Sequence, residues 1–224
     1  MPLNFVKKNS NMYSWIDATW NTVKGKCPHD CSYCYMKRFP QKELHFDEKE
    51  LKTDLGRGNK IFVGSSCDMW ADLIPEDWIF KTLEHCSKFD NEYIFQTKYP
   101  YGMYAHTCYL PKKHTLGTTI ETDRVFKIMG NAVEPIIRTV AMKELSLSEH
   151  RTFITIEPIM DFNIERFIEI IKICHPSFVN IGADTGNNHL PEPPKEKILE
   201  LIGELKKFTV VNLKKNLDRL LEGK

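Results

Sequence analysis

Three of the chain's seven cysteines, Cys27, Cys31 and Cys34, fall within eight residues of one another in the run Lys26-Cys27-Pro28-His29-Asp30-Cys31-Ser32-Tyr33-Cys34-Tyr35. A Cys-x3-Cys-x2-Cys spacing brings three thiolates to one place. Structural zinc closes its tetrahedron with four protein ligands, and a cubane iron–sulfur cluster offers four iron corners, each usually held by a cysteine. A trio on a cubane leaves one iron open to chelate a small molecule. That points to chemistry at the cluster rather than simple electron transfer. Two blander readings stand beside it: a zinc knuckle that borrows His29 or a distant ligand, and three unrelated structural cysteines.

Such a loop needs a strand to carry it. Residues 13–20 mix aromatic, β-branched and polar side chains and read as a first strand running straight into the cysteines. Apolar runs predict buried strands at Lys60–Gly64, Tyr93–Thr97, Leu116–Glu121, Thr152–Ile156 and Phe178–Gly182, with Phe208–Leu213 as a last strand. Helical signals fall between them. Asp47-Glu48-Lys49-Glu50 has the form of a capping box opening a helix through Leu55, and Pro75-Glu76-Asp77 starts a helix to about Phe89. After Pro135, Ile136, Val140, Met142 and Leu145 mark an apolar side. Asn163 caps a helix with Ile164, Phe167, Ile168 and Ile171 at i, i+3, i+4 and i+7, and Ile198, Leu201, Ile202 and Leu205 repeat that spacing. The segment 101–113 reads as irregular. Strands alternating with helices imply parallel βα units, in an open sheet or a barrel.

In either arrangement ligands bind beyond the carboxyl ends of the strands. The residues there are polar: Gly64-Ser65-Ser66-Cys67-Asp68, Thr97-Lys98, Glu121-Thr122-Asp123, Glu157-Pro158, Asn180 with Gly182-Ala183-Asp184, and Asn212 with Lys214. Each alone is explained as a turn residue or cap; together they look like a site.

The 224 residues, 42% hydrophobic, suit one sizeable core and a single domain over 1–224, with the cysteine loop at 21–38 and a final strand and short helix at 208–224. A net charge of +1 gives no overall basic field, and Lys37-Arg38, Lys112-Lys113-His114 and Lys206-Lys207 read as solvated faces. No run approaches the ~20 apolar residues of a membrane span, so a soluble, cytoplasmic protein is expected. Cys67, Cys86, Cys108 and Cys174 are scattered and fit reduced thiols.

The cysteine spacing, with the aromatic Tyr33 before the last cysteine, resembles the signature of radical S-adenosylmethionine (SAM) enzymes. The resemblance implies a partial (βα)6 barrel of the TIM type. Its [4Fe-4S] cluster is held by Cys27, Cys31 and Cys34, with SAM chelated to the open iron and cleaved to a 5'-deoxyadenosyl radical. Gly64, Ser65 and Ser66 are similar to the second-strand motif whose carbonyls receive the methionyl amine. Glu121 stands where the family places a group on the ribose, and Ile156 and Glu157 match the region bordering adenine. Arg138 and Lys98 are both candidates for the methionyl carboxylate, and Lys98 also for a substrate phosphate.

Thr19-Trp20-Asn21, Phe62-Val63-Gly64-Ser65 with Asp68, Thr97-Lys98-Tyr99-Pro100, Ile120-Glu121-Thr122 and Ile156-Glu157-Pro158 together look like a compact group from phages and mobile elements. That group is distantly similar to spore photoproduct lyase. Cys67 and Tyr99 depart from its pattern. Cys67 then has three readings: apolar filler, hydrogen-atom donor to a product radical, or substrate contact. By this resemblance Cys67 and Lys98 are the candidate catalytic residues. A modified pyrimidine in DNA or a nucleotide is the implied substrate, for an isomerase- or lyase-type reaction, and a flavodoxin- or ferredoxin-like protein the implied reductant. A peptide substrate is the alternative within the enzyme class. A zinc-stapled nucleic-acid-binding module is the alternative outside it.

Overall fold

The computed structural model describes residues 2–7 and 10–222. The chain begins with β1 (Asn4–Phe5), β2 (Ala18–Trp20), β3 (Val23–Lys24) and β4 (His45–Phe46), the last two forming a small antiparallel pair across the neck of the cysteine loop. Then β5 (Lys60–Val63), α1 (Glu76–Ser87), β6 (Glu92–Thr97), α2 (Pro100–Tyr104), β7 (His114–Thr119) and α3 (Pro135–Leu147) follow. The remainder is β8 (Thr152–Ile156), α4 (Ile164–Ile173), β9 (Phe178–Ile181), α5 (Lys195–Leu205), β10 (Val210–Leu213) and α6 (Asp218–Glu222).

One sheet carries eight of these strands in the order β1-β2-β5-β6-β7-β8-β9-β10. From β2 to β10 every pairing is parallel; β1 alone runs antiparallel, on β2. The expected α/β partial barrel is the architecture found, with one parallel strand, β10, beyond six. Successive side chains point to opposite faces of a strand, and here the two faces differ. Ile61, Val63, Tyr93, Phe95, Ile154, Ile156, Val179 and Ile181 pack with Leu83, Met142, Phe167 and Leu201 in the main core. Each such fully buried aliphatic side chain contributes about 1.5–3 kcal/mol. The alternate positions Phe62, Ile94, Phe153 and Phe178 join Tyr13 and Ile16 in a separate cluster. Beyond them along the strands come Gln96, Thr119, Thr155, Asn180 and Asn212, so the inner face turns polar toward the strands' carboxyl ends.

Four expectations need correcting. The first strand is only Ala18–Trp20; Tyr13 to Ile16 make a turn whose rings join that inner cluster, Tyr13 stacking on Trp15 at 5.3 Å. The capping box does not close: the Asp47 carboxylate accepts from the Lys49 amide over a short 3-10 turn, Glu48–Lys52, while Glu50 binds Lys24 at 2.7 Å. The buried side of α3 is Arg138, Thr139, Ala141, Met142 and Leu145, with Ile136 and Val140 exposed. The irregular segment contains α2 and a 3-10 turn at Thr107–Tyr109. Among the described residues, no helix is long and apolar enough to cross a membrane.

Candidate functional site

A cavity of about 790 Å³ opens at the carboxyl ends of β2, β5 and β6, and Cys27, Cys31 and Cys34 all line it. The cysteine loop is tied down from two sides. Asp68, beyond β5, accepts from the His29 ring at 2.7 Å, from the Thr97 hydroxyl at 2.7 Å and from the Lys98 amide at 2.8 Å with one oxygen, and from the Trp70 amide at 3.0 Å with the other. From the other side, residues 128–131 grip the loop. The Ser32 amide donates to the Ile128 carbonyl at 2.9 Å, the Asn131 amide to the His29 carbonyl at 2.7 Å, and the Cys31 thiol to the Met129 carbonyl at 3.1 Å. Gly130 makes this grip possible: its φ is +63°, and a Cβ there would stand 2.3 Å from the His29 carbonyl oxygen.

The three thiols differ in environment. The Cys67 side chain lies against Cys27 and lowers the Cys27 thiol against the opposing effect of burial, while the same contact and burial push Cys67 up. Burial raises Cys31 and Cys34. Single-ion sites need donors about 2.3 Å from one point, whereas a cubane gives each thiolate its own iron. All three cysteines line the one cavity, and a set of thiolates is the donor set that a cubane cluster uses.

Behind the cysteines lies a buried ionic group. Tyr33 donates to Glu121 Oε1 at 2.5 Å, Lys98 Nζ pairs with the same oxygen, and Arg138 Nη1 reaches Glu121 Oε2 at 2.8 Å and the Thr119 carbonyl at 2.7 Å. Burial pushes the Glu121 carboxyl up, but Arg138 and Lys98 outweigh it and hold the group well below the usual carboxylate range. One carboxylate faces two cations, leaving one net positive charge. Arg138 Nη2 is buried without a hydrogen-bond partner.

This geometry sorts the candidates. Tyr33, Gly64, Ser65, Ser66, Cys67, Asp68, Lys98 and Glu157 line the cavity together with the cysteines. Glu121, Arg138 and Ile156 do not: all three are fully buried. Arg138 lies behind Glu121 rather than open to a ligand carboxylate, so of the two cation candidates only Lys98 reaches the cavity. Ile156 belongs to the outer core, on the face away from the barrel interior. Asp68 has its oxygens engaged in holding the loop. Glu157 is bound by Lys214 at 2.7 Å and Asn216 at 2.9 Å, and the Ser65 carbonyl already accepts from the Tyr35 hydroxyl at 2.7 Å. Gly64, with φ +79°, turns the chain at the end of β5, a conformation that favours glycine.

Several lining residues escaped the sequence reading: Asn4 to Lys7, Ser10 to Tyr13, Asn21, Gln96, Thr119 and Thr155. One signal was available for three of them. Gln96, Thr119 and Thr155 are polar residues at alternating positions inside or at the end of apolar strands, which marks an inward polar layer. Nothing comparable announces residues 4–13.

No protein-family profile and no curated protein matches the chain. Solved structures match by fold. A double variant of spore photoproduct lyase with bound AdoMet and dinucleoside spore photoproduct superposes with a TM-score of 0.65 at 10% identity, over 95% of this chain and 81% of that one. The lyase complexed with dinucleoside spore photoproduct gives 0.64 over the same shares. Streptococcus suis SuiB bound to S-adenosylmethionine gives 0.61 at 11% identity, over 87% of this chain and 49% of that one. These neighbours are radical SAM enzymes, and the fold of this chain is theirs.

Proposed function

We propose that the chain is a radical SAM enzyme in which Cys27, Cys31 and Cys34 hold a [4Fe-4S] cluster and SAM occupies the adjoining cavity. Bound there, the cluster and SAM would supply reductive radical chemistry able to take hydrogen from an organic substrate. One observation carries the reading: all three cysteines line a single cavity at the carboxyl ends of the strands of this fold.

The chain's own residues divide the remaining work. Asp68, His29 and residues 128–131 set the position of the cysteine loop before any ligand arrives, which limits the ordering needed on loading. Tyr33 and Lys98 line one wall, held from behind by buried Glu121, and the Lys98 ammonium is the cation placed to meet the carboxylate of SAM or a substrate phosphate. Buried Arg138 neutralises Glu121, so Lys98 keeps its charge uncancelled for that task. Glu157 and Lys214 also line the cavity, as a closed pair. Cys67, buried at the cavity lining, is the candidate hydrogen donor to a product radical.

The substrate we assign is a modified pyrimidine of DNA or a nucleotide, for rearrangement or bond cleavage. Support comes from the likeness to spore photoproduct lyase and from the layer of uncharged donors and acceptors, Gln96, Thr119 and Thr155, deep in the cavity. The reading includes a single domain, a cytoplasmic setting and a flavodoxin- or ferredoxin-like reductant. The test is anaerobic reconstitution and reduction with SAM and a deuterated candidate nucleotide. Deuterium in 5'-deoxyadenosine is the expected result; no 5'-deoxyadenosine under reduction defeats the reading.

A further inference from the structure

The rim of the cavity has a chemistry of its own. The loop between β3 and β4, residues 25–44, carries Lys26, Lys37, Arg38 and Lys42 against Asp30 and Glu43. Lys26 and Lys37 line the opening and share one carboxylate, Asp30, at 3.9 and 2.8 Å. Lys7 lines it as well. Arg38 donates to the Thr185 carbonyl, a neutral acceptor that leaves the guanidinium charge uncancelled. Since the whole chain carries a net charge of only +1, this excess of cations is local.

Two aromatic rings line the same opening, Phe5 at 60% exposure and Tyr35 at 46%. Neither belongs to a core cluster. The Phe5 backbone pairs with Ala18 in the sheet, and the Tyr35 hydroxyl is bonded to the Ser65 carbonyl, which holds the Tyr35 ring. Exposed rings beside cations are the two parts of a surface for unpaired nucleic acid, rings for the bases and cations for the phosphates.

We propose that this rim binds a single-stranded polynucleotide, with Lys7, Lys26, Lys37 and Arg38 on its phosphates and Phe5 and Tyr35 against bases flanking the nucleotide in the cavity. The proposal rests on the nucleotide reading above and narrows it to a residue within a strand. An unpaired strand presents its bases to a concave site directly, whereas a base inside a duplex must first leave the stack.

The test is fluorescence anisotropy of a labelled single-stranded thymidine oligonucleotide with the reconstituted holoenzyme, titrated at several salt concentrations. Each phosphate contact on a single strand contributes a slope of about 0.7 in log affinity against log salt. The Lys26→Ala/Lys37→Ala variant should therefore lose about 1.4 from the slope, and the Lys26→Arg/Lys37→Arg variant should retain it. Phe5→Ala should weaken binding about fivefold or more, as the loss of one stacked base does, with the slope unchanged. Cluster absorbance and SAM affinity, read on the same samples, separate loss of the rim from loss of the fold. An oligonucleotide bound no more tightly than thymidine monophosphate, or a slope unaltered in the double alanine variant, refutes the rim. Those results leave SAM cleavage untouched, whereas a holoenzyme that binds the strand yet never forms 5'-deoxyadenosine refutes the enzyme reading alone.

Discussion

Glu121→Gln is the sharpest perturbation of the wall behind the cysteines. In the native protein Glu121 is fully buried and answers two cations, Arg138 at 2.8 Å and Lys98. The amide keeps an acceptor but removes the charge, leaving a fully buried guanidinium that already has one nitrogen without a partner. Breaking a buried pair from one side costs about 3–5 kcal/mol. In a chain of this size each kcal/mol moves the midpoint by about 2–4 °C, so Tm should fall by roughly 6–20 °C. Lys98→Met should cost less, because the Arg138–Glu121 pair survives and Lys98 stands at the cavity edge.

The pH dependence has a definite sign. Glu121 is held below its unfolded value of about 4.3, so its contribution is complete above that pH and declines as the pH falls through the native value. Urea unfolding of the metal-free protein, followed by circular dichroism, should therefore show a difference between wild type and Glu121→Gln that is flat from about pH 5 to 7 and shrinks below about pH 4. A variant within 0.5 kcal/mol of wild type at pH 7, or a difference that ignores acid, would refute the assignment of this group as an ion-paired cluster.

Asp68→Asn removes the charge that anchors His29, Thr97 and the Lys98 amide. It should cost about 1–3 kcal/mol and lower iron retained per chain after desalting, and full retention would show that the loop holds itself. Gly130→Ala meets the His29 carbonyl at 2.3 Å in a left-handed conformation, so it should cost at least about 1 kcal/mol and loosen the cysteine loop, read as faster proteolysis there. Cys67→Ala should still cleave SAM but divert the product, and an unchanged product would remove the donor role.

Much of the fold was legible because the outer faces of β5, β6, β8 and β9 are apolar and the helices α4 and α5 carry apolar stripes. The same logic failed where one residue type serves two purposes. Tyr13, Trp15 and Ile16 have the composition of a strand, and they instead fill the inner face, where large rings pack against Phe153 and Phe178. On α3, Arg138 sits inside while Ile136 and Val140 face out, because Glu121, seventeen residues earlier in sequence, provides a buried partner that no periodicity reveals. The cysteines announced themselves by spacing. Their supports did not: the grip of residues 128–131 is made by backbone groups and one left-handed glycine, and Asp68 looks the same in sequence whether it binds a ligand or a loop. The lysine and aromatic rim escaped for a related reason, since Lys37-Arg38 becomes part of an opening only when Lys7 and Phe5 are folded beside it.

The central claim is that Cys27, Cys31 and Cys34 hold a cluster with one iron left for SAM. Electron paramagnetic resonance of the reconstituted, dithionite-reduced protein tests it directly, recorded with and without SAM. The account predicts a [4Fe-4S] signal, lost in each single cysteine-to-alanine variant, whose g-values shift when SAM is added. A bound zinc without inorganic sulfide, or a cluster signal indifferent to SAM, would contradict it.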